Sequence, residues 1–219
     1  MLWLHSDCSL PTPPLRRCHF VPVDRGSVSV TVWSNGIVMR MLITEAAIQE
    51  RVCELGARIS ERYAGQSLTI LGVLTGSIVL LADLIRATTI PLRVALIEAS
   101  SYGGTRTEPG EVMIDSSLVP DLTGRNVVIL DDIFDTGKTM VGLYEAVEPF
   151  APASIRSAVL LWKKDRTIVN LQPDYFCFQI PDEFVVGYGL DYNDEFRNLP
   201  FIGVPDDHDL HEATSVRDV

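Results

Sequence analysis

At 219 residues, with hydrophobic side chains making up 47% of them, the chain is the size of one domain with a substantial core and room for a small appendage. A formal net charge of −11 argues against general binding to nucleic acid or to an anionic membrane surface. A partner carrying several phosphates would have to be met by local cations and a metal ion.

The distribution of reactive side chains narrows the chemistry further. Lysine occurs only as Lys138, Lys163 and Lys164, and the histidines His5, His19, His208 and His211 all lie in the terminal segments. Histidine chemistry in the core is therefore not expected, and a general base should be a carboxylate. Cys8, Cys18, Cys53 and Cys177 show neither CxxC nor framework spacing and read as reduced thiols of a cytoplasmic protein.

In chain order, residues 1–40 look unlike the rest. Pro11-Thr12-Pro13-Pro14 and Arg16-Arg17 interrupt any periodicity, and no basic stretch precedes an apolar run of secretory type. They are expected to be a poorly ordered extension, with Met39 and Met41 as alternative starts, although residues 28–38 alternate enough to allow a strand. Residues 44–63 read as a helix. Thr44 is its N-cap, Ile48, Val52, Leu55 and Ile59 recur at helical spacing, and Cys53 is expected to pack with the helix.

Residues 68–74 form a buried strand ending at Thr75-Gly76-Ser77, and 78–85 continue as a helix. The whole stretch is apolar enough to raise a membrane span, but Gly76-Ser77 and Asp83 interrupt it, and strand–turn–helix explains it better. A third strand is expected over 92–98. The connection that follows, residues 100–110, is long and rich in turn formers, which suits either a mobile lid or an exposed hairpin. A strand returns over 112–116, and Pro120 to Arg125 form a turn.

Val127-Val128-Ile129-Leu130 then run into Asp131-Asp132-Ile133-Phe134-Asp135-Thr136-Gly137-Lys138-Thr139. The apolar run is short and β-branched, and reads as a buried parallel strand ending in two acids. Asp-Thr-Gly is turn and N-cap chemistry. A helix beginning there, running through residue 147, would direct free N–H groups and its positive dipole end at a phosphate. A nucleotide-binding P-loop would need glycine at 132, where Asp132 stands and would repel a triphosphate. Two acids beside an anion-binding turn imply a phosphorylated sugar, its hydroxyls held by carboxylates or through Mg²⁺.

Beyond the helix, 154–162 alternate like a strand and end at Lys163-Lys164-Asp165. A cation there shares the strand edge at which α/β proteins bind ligands, although taken alone the pair would pass for surface lysines. Residues 174–178 form a short aromatic strand. The acidic tail, 206–219, is expected to fray, and the chain has no internal repeat.

The apolar strand, paired acids and Asp-Thr-Gly-x-Thr resemble the phosphoribosyl diphosphate (PRPP) signature of the type I phosphoribosyltransferases. A second block, Pro181-Asp182-Glu183-Phe184-Val185-Val186-Gly187-Tyr188-Gly189-Leu190-Asp191-Tyr192-Asn193, continued by Phe196-Arg197-Asn198-Leu199-Pro200, resembles the base and pyrophosphate segment of the hypoxanthine(-guanine) members. The resemblance runs from about Ile43 to Val204. It implies an α/β fold, a mainly parallel twisted sheet flanked by helices over residues 41–205, with a small C-terminal hood joined by part of the N-terminus. It also implies transfer of phosphoribose from PRPP to N9 of hypoxanthine or guanine, with Mg²⁺ as cofactor, in a cytoplasmic homodimer or homotetramer binding neither nucleic acid nor membrane.

The same resemblance implies the site. Asp131 and Asp132 would hold ribose hydroxyls, directly or through Mg²⁺, and Asp135, Thr136, Gly137, Lys138 and Thr139 would form the 5′-phosphate turn, with Asp135 as acid/base at purine N7. Leu74, Thr75, Gly76 and Arg197 would meet pyrophosphate; the family has a lysine where Thr75 stands, so a side-chain contact is lost and the backbone contact kept. Lys163 would donate to the exocyclic O6, Phe184 would stack, Val185 would read the base edge, and Asp191 would bind the metal–pyrophosphate. Ser101, Tyr102 and Gly103 would belong to a closing lid. The competing readings are a PRPP-binding, RNA-binding regulator of the same fold, which should show a basic face, and a sister enzyme preferring xanthine or another base.

Overall fold

The computed structural model describes residues 29–31, 38–100 and 113–206. The expected lid residues Ser101, Tyr102 and Gly103, and the tail from residue 207, lie outside them.

In chain order the elements are β1 (Ser29–Thr31), β2 (Val38–Ile43), α1 (Glu45–Arg62), β3 (Leu68–Leu74), α2 (Ile78–Ala87), β4 (Arg93–Ser100), β5 (Met113–Asp115), β6 (Asn126–Phe134), α3 (Lys138–Val147), β7 (Ser154–Trp162), β8 (Tyr175–Gln179) and β9 (Ile202–Pro205). Six strands form the main sheet in the order β5-β4-β3-β6-β7-β8. All its pairings are parallel except that of β5, which lies antiparallel on the edge beside β4. Helices on both faces explain why β3 and β6 are near-continuous apolar runs: neither face meets water.

Alternation along the strands divides the core. Ile70, Val128, Leu130 and Leu160 pack with Ile48, Val52, Leu55 and Ile59 of α1 and with α2. Leu71, Val73, Val127, Ile129 and Val159 pack on the other face with Met140, Leu143 and Val147 of α3. The α1 periodicity is as expected, and the Thr44 hydroxyl accepts from the Ala47 N–H at 3.3 Å. Cys53 departs from expectation: it is exposed, because it stands about 100° around the helix from buried Val52. Among the described residues no helix is long and apolar enough to cross a membrane.

A second, antiparallel sheet of order β1-β2-β9 supplies the expected hood from both ends of the chain. The boundary expected at residue 40 falls inside β2, whose Arg40 pairs with Val204 of β9 on one side and Ser29 of β1 on the other. Sheet structure thus begins upstream of that boundary, where apolar alternation over 28–38 had allowed it. The hood is fastened to the segment after β8 by reciprocal backbone bonds between Val186 and Gly203, each 2.9 Å.

Candidate active site

The parallel strands deliver their C-terminal ends to one edge. Gly72 is level with Leu130, so the turn after β3 and the two acids of β6 emerge together. The acids do not end β6, as the sequence had indicated. They lie within it, since Asp131 pairs with Val159 and the ladder to β7 continues through Ile133 and Phe134. The backbone pairing outlasts the apolar side chains because β7 supplies partners as far as Trp162.

Asp131 is buried, 8% exposed, and its Oδ1 accepts the Asp132 N–H at 2.9 Å. Burial, and then the charge of Asp132, push its carboxyl well above the ordinary carboxylate range. Burial raises Asp132 as well, against the pull of hydrogen bonds and of Arg197. Asp132 faces the turn after β3: a Cβ on Gly76 would sit 1.7 Å from its Oδ2. Only glycine admits that approach.

After β6 the chain turns through Asp135-Thr136-Gly137. The expected side-chain N-cap is absent from α3. Its N-cap is Gly137 itself, at φ 87°, with no side-chain bond to the helix. The Thr136 hydroxyl accepts the Lys138 N–H at a long 3.5 Å, and Gly137 itself caps none of the first-turn N–H groups, the arrangement the dipole argument favours for an anion. The turn is held from outside, where the Ile168 N–H donates to the Thr136 carbonyl at 3.1 Å and Val169 and the Phe134 ring close over Gly137.

Opposite stands an arm from 187 to 197. The Gly189 N–H donates to the Arg197 carbonyl at 2.9 Å, and Arg197 Nη1 donates to the Gly189 carbonyl at 2.8 Å. Arg197 Nη2 lies 2.8 Å from Asp191 Oδ1. Together these segments enclose a cleft of about 520 Å³, lined by Leu74, Thr75, Gly76, Asp131, Asp132, Asp135, Thr136, Gly137, Thr139, Asp191 and Arg197 among others. The Leu74–Thr75 peptide in its wall is cis.

Three expected base contacts stand beside this cleft rather than in its lining. Lys163 is 8% exposed, with Nζ 4.0 Å from Asp135 Oδ2 and 3.5 Å from Asp182 Oδ1. Val185 is buried, and Phe184 leaves 48% of its surface open, its ring edge-on to Tyr192 at 5.8 Å between centroids. Lys138 does not join them; its side chain is exposed and forms no part of the lining. Sequence reasoning missed Glu98, which lines the cleft, and Arg166 and Asp182, which pair with Asp135 and Lys163. The only cue to Arg166 was its position three residues after Lys163. Asp182 stood inside the second resembling block without a role, and nothing local marked Glu98.

The donor set suits a hard cation. Asp131, Asp132 and Asp191 all line one cleft, and two adjacent acids, one of them buried, gain from a neutralising charge. Among the described residues no group of three or more His, Cys, Asp or Glu is placed to hold a metal ion, so the three carboxylates do not form a complete site; Mg²⁺ ordinarily takes one or two carboxylates with substrate oxygens and water.

The Asp131 environment has a consequence for stability in the absence of metal and substrate. Its folded pKa lies above the ordinary value of 3.8. Between those two values the folded chain binds more protons than the unfolded chain, so stability falls as pH rises through that window and stays lowered above it. Asp131→Asn keeps the Oδ1 acceptor and removes the charge. The variant is expected to melt several degrees above the parent at neutral pH, the gap closing as pH is lowered toward 4. Thermal melts of both proteins across pH, without Mg²⁺, check it; a gap independent of pH would remove the titration argument.

Residues 42–193 match the family model of the phosphoribosyl transferase domain. Over 167 residues the chain is 38% identical to the hypoxanthine-guanine phosphoribosyltransferase of Streptococcus pneumoniae, covering 76% of this chain and 93% of that protein. It is 40% identical over 167 residues to the hypoxanthine phosphoribosyltransferase of Escherichia coli K12, covering 75% and 94%. Among solved structures, a Staphylococcus aureus hypoxanthine phosphoribosyltransferase superposes with TM-score 0.72 at 37% identity, over 77% of this chain and 91% of that one. The hypoxanthine phosphoribosyl transferase of Trypanosoma cruzi gives 0.73 at 36% identity, over 80% and 95%.

Proposed function

The chain belongs to the phosphoribosyltransferase family, and on that premise we propose how its site works. It is a purine salvage enzyme that transfers the 5-phosphoribosyl group of PRPP to N9 of a 6-oxopurine, hypoxanthine or guanine, releasing pyrophosphate. The observation that carries the reading is the shared cleft. The paired acids, Asp131 buried and Asp132 half-buried, a helix N-terminus capped by glycine, and the facing 74–76 and 187–197 segments enclose a space of about 520 Å³, and Lys163 stands at its margin.

PRPP lies with its 5′-phosphate on the 135–139 turn, where backbone N–H groups and the Thr136 and Thr139 hydroxyls donate to it. Lys138 contributes its backbone; its side chain is exposed and not part of the cleft lining. Asp131 and Asp132 take the ribose hydroxyls. Asp131, Asp132 and Asp191 would hold Mg²⁺, which neutralises the pyrophosphate as it leaves. The backbone of Leu74, Thr75 and Gly76, with Arg197, receives the same group. As the N9 lone pair bonds to C1, the C1–oxygen bond breaks toward pyrophosphate, and the N7 proton passes to the Asp135 carboxylate. Phe184 stacks on the base, Val185 reads its edge through the backbone, and Lys163 donates to O6. We propose that the enzyme works in the cytoplasm as a homodimer or homotetramer; light scattering would decide between the two assemblies.

The test is pyrophosphate release with PRPP, Mg²⁺ and, separately, hypoxanthine, guanine, xanthine, adenine or no base. Release dependent on hypoxanthine or guanine is expected. Release with xanthine alone would reassign the base, and PRPP binding without release would make the protein a regulator. Lys163→Ala should lower the preference for hypoxanthine over adenine by about 10-fold or more, the order of one charge-assisted hydrogen bond. Unchanged discrimination between the two bases would place O6 recognition elsewhere.

A further inference from the structure

The segment after β7 carries a side chain that the reaction as described does not use. Residues Lys164–Arg166 form a single 3₁₀ turn, which folds Arg166 back over the strand edge. Its Nε lies 2.7 Å from Asp135 Oδ1, and its Nη1 lies 3.2 Å from Asp182 Oδ2 and 3.4 Å from Asp182 Oδ1. One guanidinium thus joins two elements that must act on the same base: the acid at the end of β6, and the loop that leads through Glu183 into Phe184 and Val185. Its charge lies against Oδ1 of Asp135, a buried oxygen that accepts no hydrogen bond from the described residues, so the contact is an ion pair; Oδ2, the oxygen nearer Lys163, is left to meet a proton.

We propose that Arg166 is a positioning residue: it fixes the Asp135 carboxylate and, through Asp182, sets the base-reading loop in register with it. The inference rests on the reading of Asp135 as the N7 acid/base. A planar fork suits the task, since it can hold two carboxylates in one fixed geometry where an ammonium is a point charge. In the free protein the pairs are partly open to water, the side chains of Arg166, Asp135 and Asp182 being 44%, 36% and 53% exposed. Such pairs contribute little to folding. A purine seated over them excludes water and strengthens them, so their effect belongs to catalysis rather than to stability.

The test uses the full chain with PRPP, Mg²⁺ and hypoxanthine. Arg166→Ala should lower kcat by about 10- to 100-fold, as loss of alignment at a reacting group does, and raise KM for hypoxanthine. The KM for PRPP and the melting temperature should stay as in the parent. Asp182→Asn should raise KM for hypoxanthine, and because Asp182 also pairs with Lys163, the double variant should be worse than Arg166→Ala but by less than the product of the two single effects, the shared bridge being lost only once. Arg166→Lys should recover part of kcat but not the base KM. A kcat for Arg166→Ala within about twofold of the parent, below the size of coupling such cycles resolve, would overturn the proposal. So would a loss that instead follows PRPP binding or melting temperature, which would mean that the 163–169 segment merely supports the phosphate turn. A parent protein inactive with every purine would remove the functional reading and this inference together; an active parent with an unaffected variant removes only the inference.

Discussion

Asp135→Asn should cut turnover with hypoxanthine by about 10²- to 10⁴-fold, the usual contribution of a positioned proton acceptor, and leave PRPP binding nearly intact. Asparagine has the shape of aspartate but cannot take a proton. The carboxylate now sits between two cations, with Arg166 Nε at 2.7 Å and Lys163 Nζ at 4.0 Å. Lys163 is nearly buried, but it and Arg166 both keep Asp182 as a partner, so neither cation is stranded and the melting temperature should move little. The phosphate turn does not depend on the carboxylate either. It is anchored by the Ile168–Thr136 backbone bond and by the close packing around Gly137. Steady-state turnover, with PRPP affinity measured by calorimetry, separates the outcomes. Near-normal turnover would take Asp135 out of proton transfer, and lost PRPP affinity would make it a sugar-phosphate ligand instead.

How much of this was legible in the sequence depends on the range of the interaction that places each residue. The strand at 68–74, the helix through 147 and the strand at 154–162 were readable because periodicity and turn chemistry are local, and the structure places β3, the end of α3 and β7 at those bounds. The paired acids and the Asp-Thr-Gly turn were legible as a unit for the same reason. Their surroundings were not. That β6 runs on through Phe134 is decided by β7, a strand twenty residues later. That the N-cap is a bare glycine is decided by Val169 and Phe134 pressing on it, since any side chain there would collide. Arg166 and Asp182 are brought to Asp135 by a 3₁₀ turn and by the path out of β8, neither of which leaves a pattern in residue type. Cys53 shows the converse: a small apolar residue next in sequence to a buried stripe residue looks buried until its angular position is counted.

The close approach of the two loops that enclose the cleft gives the second large effect. Gly189→Ala should lower kcat/KM for PRPP by about 100-fold, the penalty of displacing a site by an ångström. Gly189 stands at φ 104°, and a Cβ there would lie 2.0 Å from the Gly76 carbonyl oxygen. That oxygen has little room to retreat, because Gly76 already abuts the Asp132 carboxylate so closely that its own Cβ would meet Oδ2 at 1.7 Å. Either the 187–197 arm swings away, taking Asp191 and Arg197 with it, or the 74–76 turn moves off the acids. Both separate the groups assigned to pyrophosphate and metal, while Lys163 and the N7 acid stay in place. The preference for hypoxanthine over adenine should therefore survive even as PRPP is used poorly. Gly124→Ala is the control: Gly124 also has a positive φ, 68°, but no heavy atom within 4 Å of its would-be Cβ. It should show only the backbone strain, about 1–3 kcal/mol of stability, with normal kinetics. If Gly189→Ala harms PRPP utilisation no more than Gly124→Ala does, contact between the two loops is not what holds the pyrophosphate site together. If it does so with base selection preserved, the cleft behaves as two separable halves, a sugar–pyrophosphate half fixed by backbone contact between glycines and a base half fixed by side chains.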